Sequence, residues 1–159
     1  GHLAGELLKM MAGVDLVHVP FKGGGPAMQA MLGGQISAYM ATPVAAGPHV
    51  KAGKAKALAV TGAKRDQFMP DVPSVAEFYP GYQATNWYAY YAPAKTPKDI
   101  VVRLNREIVK ALGTAEVKEL LAKQGVEPAP GTPEELAAFG KRESDTWAKV
   151  VKQAKITAN

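Results

Sequence analysis

The 159-residue chain contains no cysteine. That excludes a disulfide framework, a thiolate metal site and a cysteine nucleophile. Histidine is nearly as scarce, with only His2, His18 and His49. His18 falls in a strand-like run with no carboxylate beside it in sequence, and His49 in a short helical segment. No cluster of His, Asp and Glu has metal-ligand spacing. No Gly-x-Ser-x-Gly elbow is present. The residues therefore point to no catalytic group, no metal and no cofactor. No apolar run approaches the ~20 residues needed to cross a bilayer. Nor does a basic n-region followed by an apolar stretch open the sequence, as a secretory leader would.

Charge is present but weakly organised. The formal net charge is +5, which favours anionic partners in general. The lysines and arginines are spread along the chain, and the C-terminal third carries many acidic residues. With no basic tail and no aromatic–basic motif, nucleic acid is not an expected partner. Apolar residues make up 47% of the chain, as in an ordinary globular protein.

Hydrophobic spacing divides the chain into alternating elements. Leu3, Leu7, Leu8 and Met11 mark one face of a helix that Gly13 closes. Leu16–Val19 reads as a short strand and Pro20–Gly25 as a loop. Pro26 is placed for a first helical position, and this helix stops at Gly33-Gly34. Ile36–Met40 is the next strand. A short helix then lies between Val44 and Lys51, and Ala57–Thr61 forms a third strand. Unbroken apolar runs alternating with helices predict βαβ units around a parallel sheet covered on both faces. Residues 62–83 are rich in Pro and Gly and read as loop, with one capped turn at Ser74–Glu77. Ala84–Ala92 is an aromatic strand. Three helices follow. Thr96–Asp99 starts the first, whose buried face is Ile100, Leu104, Ile108 and Leu112. Thr114 caps the second, with Val117, Leu120 and Leu121 inward. A capping box at Thr132–Glu135 opens the last.

Four places are candidates for binding. The first is the loop Phe21-Lys22-Gly23-Gly24-Gly25 ahead of a helix. Helix starts carry unpaired N–H groups and about half a positive charge. Consecutive glycines let these amides curl around an anion, and Lys22 adds a full charge. A flexible turn with a solvated lysine is the equal alternative. The loop matches neither the dinucleotide fingerprint nor the phosphate-binding loop. The second is Thr42, which either offers a hydroxyl to a ligand or caps its own helix, the commoner role. The third is His2, at another helix start. The fourth is Trp87, a core aromatic or a cleft wall.

Taken together, the segments His2-Leu3-Ala4-Gly5-Glu6-Leu7, Val17–Gly23, Leu32–Gln35, Pro48–Lys54, Ala57–Arg65, Asp71–Glu77, Pro80–Tyr82, Ala92–Pro97 and Gly131–Glu135 resemble the Bug family. These are the periplasmic solute receptors of tripartite tricarboxylate transporters. The likeness runs through the whole chain in order. It implies an α/β, periplasmic-binding-protein-like (type II, Venus flytrap) two-lobed fold, here lacking the N-terminal part of the first lobe. It implies that residues 1–61 belong to the second lobe, 62–85 to a crossover, and 86–159 to the first lobe. It also implies periplasmic capture of a small di- or tricarboxylate or acidic amino acid, without catalysis or cofactor, and delivery to a membrane permease. Gly24 departs from the family pattern, in which Ser is common at that place. Two other readings stay open: an α/β enzyme binding phosphate at Gly23–Gly25, and a self-associating fragment that forms a homodimer through exposed sheet edges.

Overall fold

The computed structural model describes residues 1–156. Helices dominate it: α1 (His2–Ala12), α2 (Gly24–Leu32), α3 (Pro43–Lys51), α4 (Lys98–Leu112), α5 (Ala115–Lys123) and α6 (Pro133–Gln153). One 3-10 turn spans Val75–Glu77. The chain divides into two compact units. One comprises Gly1–Asn86 with the chain from Lys149 onward, and the other Trp87–Ala148.

The helix signals act where the spacing places them. Gly13 closes α1 at φ 64°, a left-handed conformation that glycine adopts without a Cβ penalty. Thr114 accepts from the Val117 amide at 3.4 Å. At the start of α6, Thr132 Oγ1 accepts from Glu135 N at 3.1 Å, and Glu135 Oε2 accepts from Thr132 N at 2.8 Å. This reciprocal box satisfies two donors at once. The α2 helix differs from expectation. It begins at Gly24, so Pro26 is its third residue. Proline is tolerated there because no first-turn N–H has an intrahelical partner to lose.

The strand expectations are corrected. Among the described residues the sole β pairing is a parallel bridge between Val60 and Ser74. Segments 14–22, 36–41 and 85–92 make no main-chain hydrogen bonds among the described residues. A strand exists only through a neighbour about 4.8 Å away, and these runs have none among the described residues. Their apolar side chains are accordingly open: Val17 is 85% exposed and Tyr88 83%. The inward faces of α4 and α5 are corrected for the same reason. No sheet covers them, so Ile100, Leu104 and Leu120 are exposed.

The best-buried residues of the first unit instead gather around the Pro-rich loop and α2. Ala27, Met28, Ala30, Val75, Tyr82, Ala84 and Val150 are buried, and Ser74 is fully enclosed. Ser74 is held by its neighbours on every polar atom that matters. Its hydroxyl donates to the Gly62 carbonyl and accepts from Ala76 N. Its amide donates to Glu77 Oε1 at 2.8 Å. Val60 N donates to Pro73 O, Val75 N to Val60 O, and Ala84 N to Thr61 O. The Tyr82 hydroxyl crosses to donate to the Ala4 carbonyl at 3.0 Å, fastening α1 to this loop.

Glu77 also forms a two-pronged pair with Arg65, at 2.8 and 2.9 Å. The Arg65 guanidinium and the Ser74 amide lower the Glu77 carboxyl from its ordinary 4.5 to about 2. A lowered carboxylate pKa stabilises the fold above the unfolded value, and that contribution is lost as pH falls through the folded one. Stability should therefore decline between pH 4.5 and about 2. Glu77→Gln should flatten this part of a pH titration of denaturant unfolding. Separately, Tyr82→Phe should cost about 1–2 kcal/mol in the same assay, because the Ala4 carbonyl loses its donor.

Candidate functional site

Three helix starts of the first unit lack a side-chain cap: α1 after Gly1, α2 after Gly23 and α3 after Thr42. Thr42 stands in the cap position of α3, yet its hydroxyl makes no cap bond, which corrects the capping role expected for it. Pro43 at the first helical position presets the backbone, so this start does not depend on the hydroxyl. First-turn N–H groups are left without acceptors at Gly24 and Gly25, and at Val44 and Ala45. The positive ends of the helix dipoles fall at the same places.

The surroundings of two glycines show what lies beside two of these starts. A methyl group placed on Gly1 would lie 3.4 Å from the Met40 carbonyl oxygen. One placed on Gly24 would lie 2.9 Å from the Tyr39 hydroxyl oxygen. The segment leading into α3 therefore touches the starts of both α1 and α2. His2 joins the group by stacking on His18, with ring centroids 3.8 Å apart and planes 4° from parallel. Partial desolvation and then the neighbouring His2 push the His18 pKa down, while Glu6 pulls it up. Residues 20–26 lie on the surface, with only Phe21 half-buried. Lys22 is exposed and makes no ion pair among the described residues.

Gly23 has φ 107° and ψ 173°. This is a region essentially restricted to glycine. It turns the chain so that the amides of Gly24 and Gly25 follow one another at the helix start.

The structure thus brings His2, Phe21, Lys22, Gly23, Gly24, Gly25 and Thr42 into one unit. Trp87 belongs to the other unit. Its indole N–H donates to Glu143 Oε2 at 3.2 Å, and the same oxygen accepts from Trp147 at 3.2 Å. Its ring meets Phe139 edge-on at 5.3 Å. Two site neighbours were not among the candidates read from sequence. Tyr39 and His18 lie in runs that look like plain strand, and only the packing of α1 and α2 brings them to the loop.

The comparisons bear on this arrangement. The profile described as "Tripartite tricarboxylate transporter family receptor" matches residues 1–156. The chain belongs to this receptor family. It is 37% identical to Protein BugT of Bordetella pertussis over 96% of the chain and 47% of that protein. It is 36% identical to "UPF0065 protein in tcbD-tcbE intergenic region" of a Pseudomonas species, over 99% of the chain and 48% of that protein. Among solved structures it superposes on "R. palustris Rpa4515 with adipate" with TM-score 0.87 and 35% identity, over 99% of the chain and 53% of that one. It superposes on "MatC (Rpa3494) from Rhodopseudomonas palustris with bound malate" with TM-score 0.78 and 37% identity, over 94% and 52%. For "Structure of periplasmic binding protein BugD" the values are 0.77 and 31%, over 99% and 54%. This family member therefore has the α/β solute-binding fold of the Bug receptors, and spans about half the length of these proteins.

Gly23→Ala should destabilise this family member by about 1–3 kcal/mol, because an added Cβ opposes the observed backbone angles. Thermal or urea unfolding would measure the loss, and an unchanged midpoint would show that the loop tolerates another conformation.

Proposed function

We propose that this chain is part of a periplasmic receptor that captures a small organic acid and hands it to the permease of a tripartite tricarboxylate-type transporter. The acid is a di- or tricarboxylate or an acidic amino acid. One observation carries the reading: first-turn main-chain donors are unfilled at the exposed glycine loop before α2 and at the start of α3, and these two helices pack together. Family membership, and the adipate and malate bound by two structural relatives, support the same chemistry.

The mechanism is electrostatic capture. The amides of Gly24 and Gly25 and those at the start of α3 present donors to one carboxylate. In this scheme His2 and Thr42 supply side-chain donors, Phe21 supplies an apolar wall, and Lys22 raises the local concentration of anions. A hydrogen bond to a charged group contributes roughly 1.5–3 kcal/mol. Three or four of them, less the cost of ordering the ligand, correspond to about micromolar affinity. In the lobe scheme of the family, residues 1–61 are assigned to the second lobe, 62–85 to the crossover and 86–159 to the first lobe. No step of this scheme calls for catalysis or a cofactor. A second property follows from the exposed, unpaired segments around Val17 and Tyr88: self-association through their edges.

Titration calorimetry against C4 to C6 di- and tricarboxylates, aspartate, glutamate and sugar phosphates tests the reading. It should be run on this chain and on the longest product of its gene. Binding of a carboxylate, weakened by salt, is the expected result. Binding of the phosphates alone, or of nothing by either polypeptide, overturns it. Light scattering of this chain would show a dimer if the edges pair.

A further inference from the structure

On the reading of the glycine loop as a carboxylate site, we propose that Tyr39 is a ligand-positioning residue whose hydroxyl donates to the bound acid, and that Gly24 lacks a side chain so that the phenol can stand there. The geometry is specific. A Cβ on Gly24 would be 2.9 Å from the Tyr39 hydroxyl oxygen, closer than such contacts occur. The phenol therefore occupies the space that a side chain at the first residue of α2 would fill.

The hydroxyl is free to act on a ligand. Tyr39 is half-buried, so its ring is seated while part of it meets solvent. Among the described residues Tyr82 is the tyrosine whose hydroxyl is bonded within the protein. Among the described residues no buried side-chain polar atom is left without a partner, so the unbonded Tyr39 hydroxyl is open to water. It lies beside Gly24, whose amide, like that of Gly25, lacks a protein acceptor. A carboxylate offers two oxygens with about four acceptor positions. Two amides leave some of these unmet, and a phenol supplies a further donor without adding charge. Tyr39 lies in the same short segment as Thr42, the residue before α3.

The backbone makes this testable. Gly24 does not have a left-handed φ, unlike Gly23. Alanine at 24 is therefore compatible with the helix start and probes the Cβ contact alone. Tyr39→Phe, Gly24→Ala and the double variant would be compared with wild type by calorimetry with C4 to C6 di- and tricarboxylates, on the longest product of the gene. Tyr39→Phe is expected to weaken binding by roughly tenfold or more, with an unchanged unfolding midpoint. Gly24→Ala is expected to displace the phenol and weaken binding to a similar degree. The double variant should be no weaker than the worse single variant, because both changes remove one interaction.

Wild-type affinity in Tyr39→Phe overturns the proposal and leaves the carboxylate reading intact. Strictly additive losses in the double variant overturn it too. A fall in affinity that tracks a fall in the unfolding midpoint assigns Tyr39 to packing and likewise overturns it. No binding by wild type removes the carboxylate reading itself, an outcome separate from the other three.

Discussion

A helix start has more donors than its own turns can satisfy, and something outside the helix must accept from them. That constraint organises the first unit of this protein. Helices α5 and α6 meet it with threonine caps and, in α6, a glutamate that reaches back. Helices α1, α2 and α3 do not. The segment before α3 touches the starts of α1 and α2, through Met40 and Tyr39. A glycine in a conformation closed to other residues turns the chain into α2. An anion is the natural complement to such a cluster, because it offers several acceptors and a charge of the right sign. The proposed receptor function rests on this unmet demand more than on any single side chain.

The parts that hold this arrangement steady are polar and local. Ser74 is enclosed and bonded through both its hydroxyl and its amide. Glu77 serves Ser74 and Arg65 together. Tyr82 reaches from the same loop to Ala4 in α1. A loop rich in proline and glycine would ordinarily contribute little. Here it carries the most buried side chains, because each polar group that enters with them finds a partner. The loop thus links the start of α1 to the segment after Thr61. It does so without a sheet ladder, apart from the one bridge between Val60 and Ser74.

The elements that could be read in advance are those whose signals are local. The Thr132–Glu135 capping box, the Ser74–Glu77 turn and the glycine stop of α1 depend on residues a few positions apart. Each formed as its spacing required. The glycine loop was legible for the same reason: its composition alone states that the backbone can approach a ligand. Strands are different. Leu16–Val19, Ile36–Met40 and Ala84–Ala92 have the composition of strands, yet a ladder belongs to two segments and not to one. The amphipathic stripe of α4 posed the same problem. Its period identifies the face that seeks cover, and only a partner surface can bury it.

The amino-acid order by itself therefore determined where the helices begin and end, which glycines bend the chain, and which family the protein joins. These properties are set by short-range hydrogen bonding and by the allowed backbone angles of single residues. Tertiary structure decided which helix starts became neighbours, that Tyr39 faces Gly24, and that the Trp87 indole is engaged by Glu143. Those outcomes depend on packing between residues distant in sequence, whose free energy is a property of the assembled surfaces and is not written in any one segment.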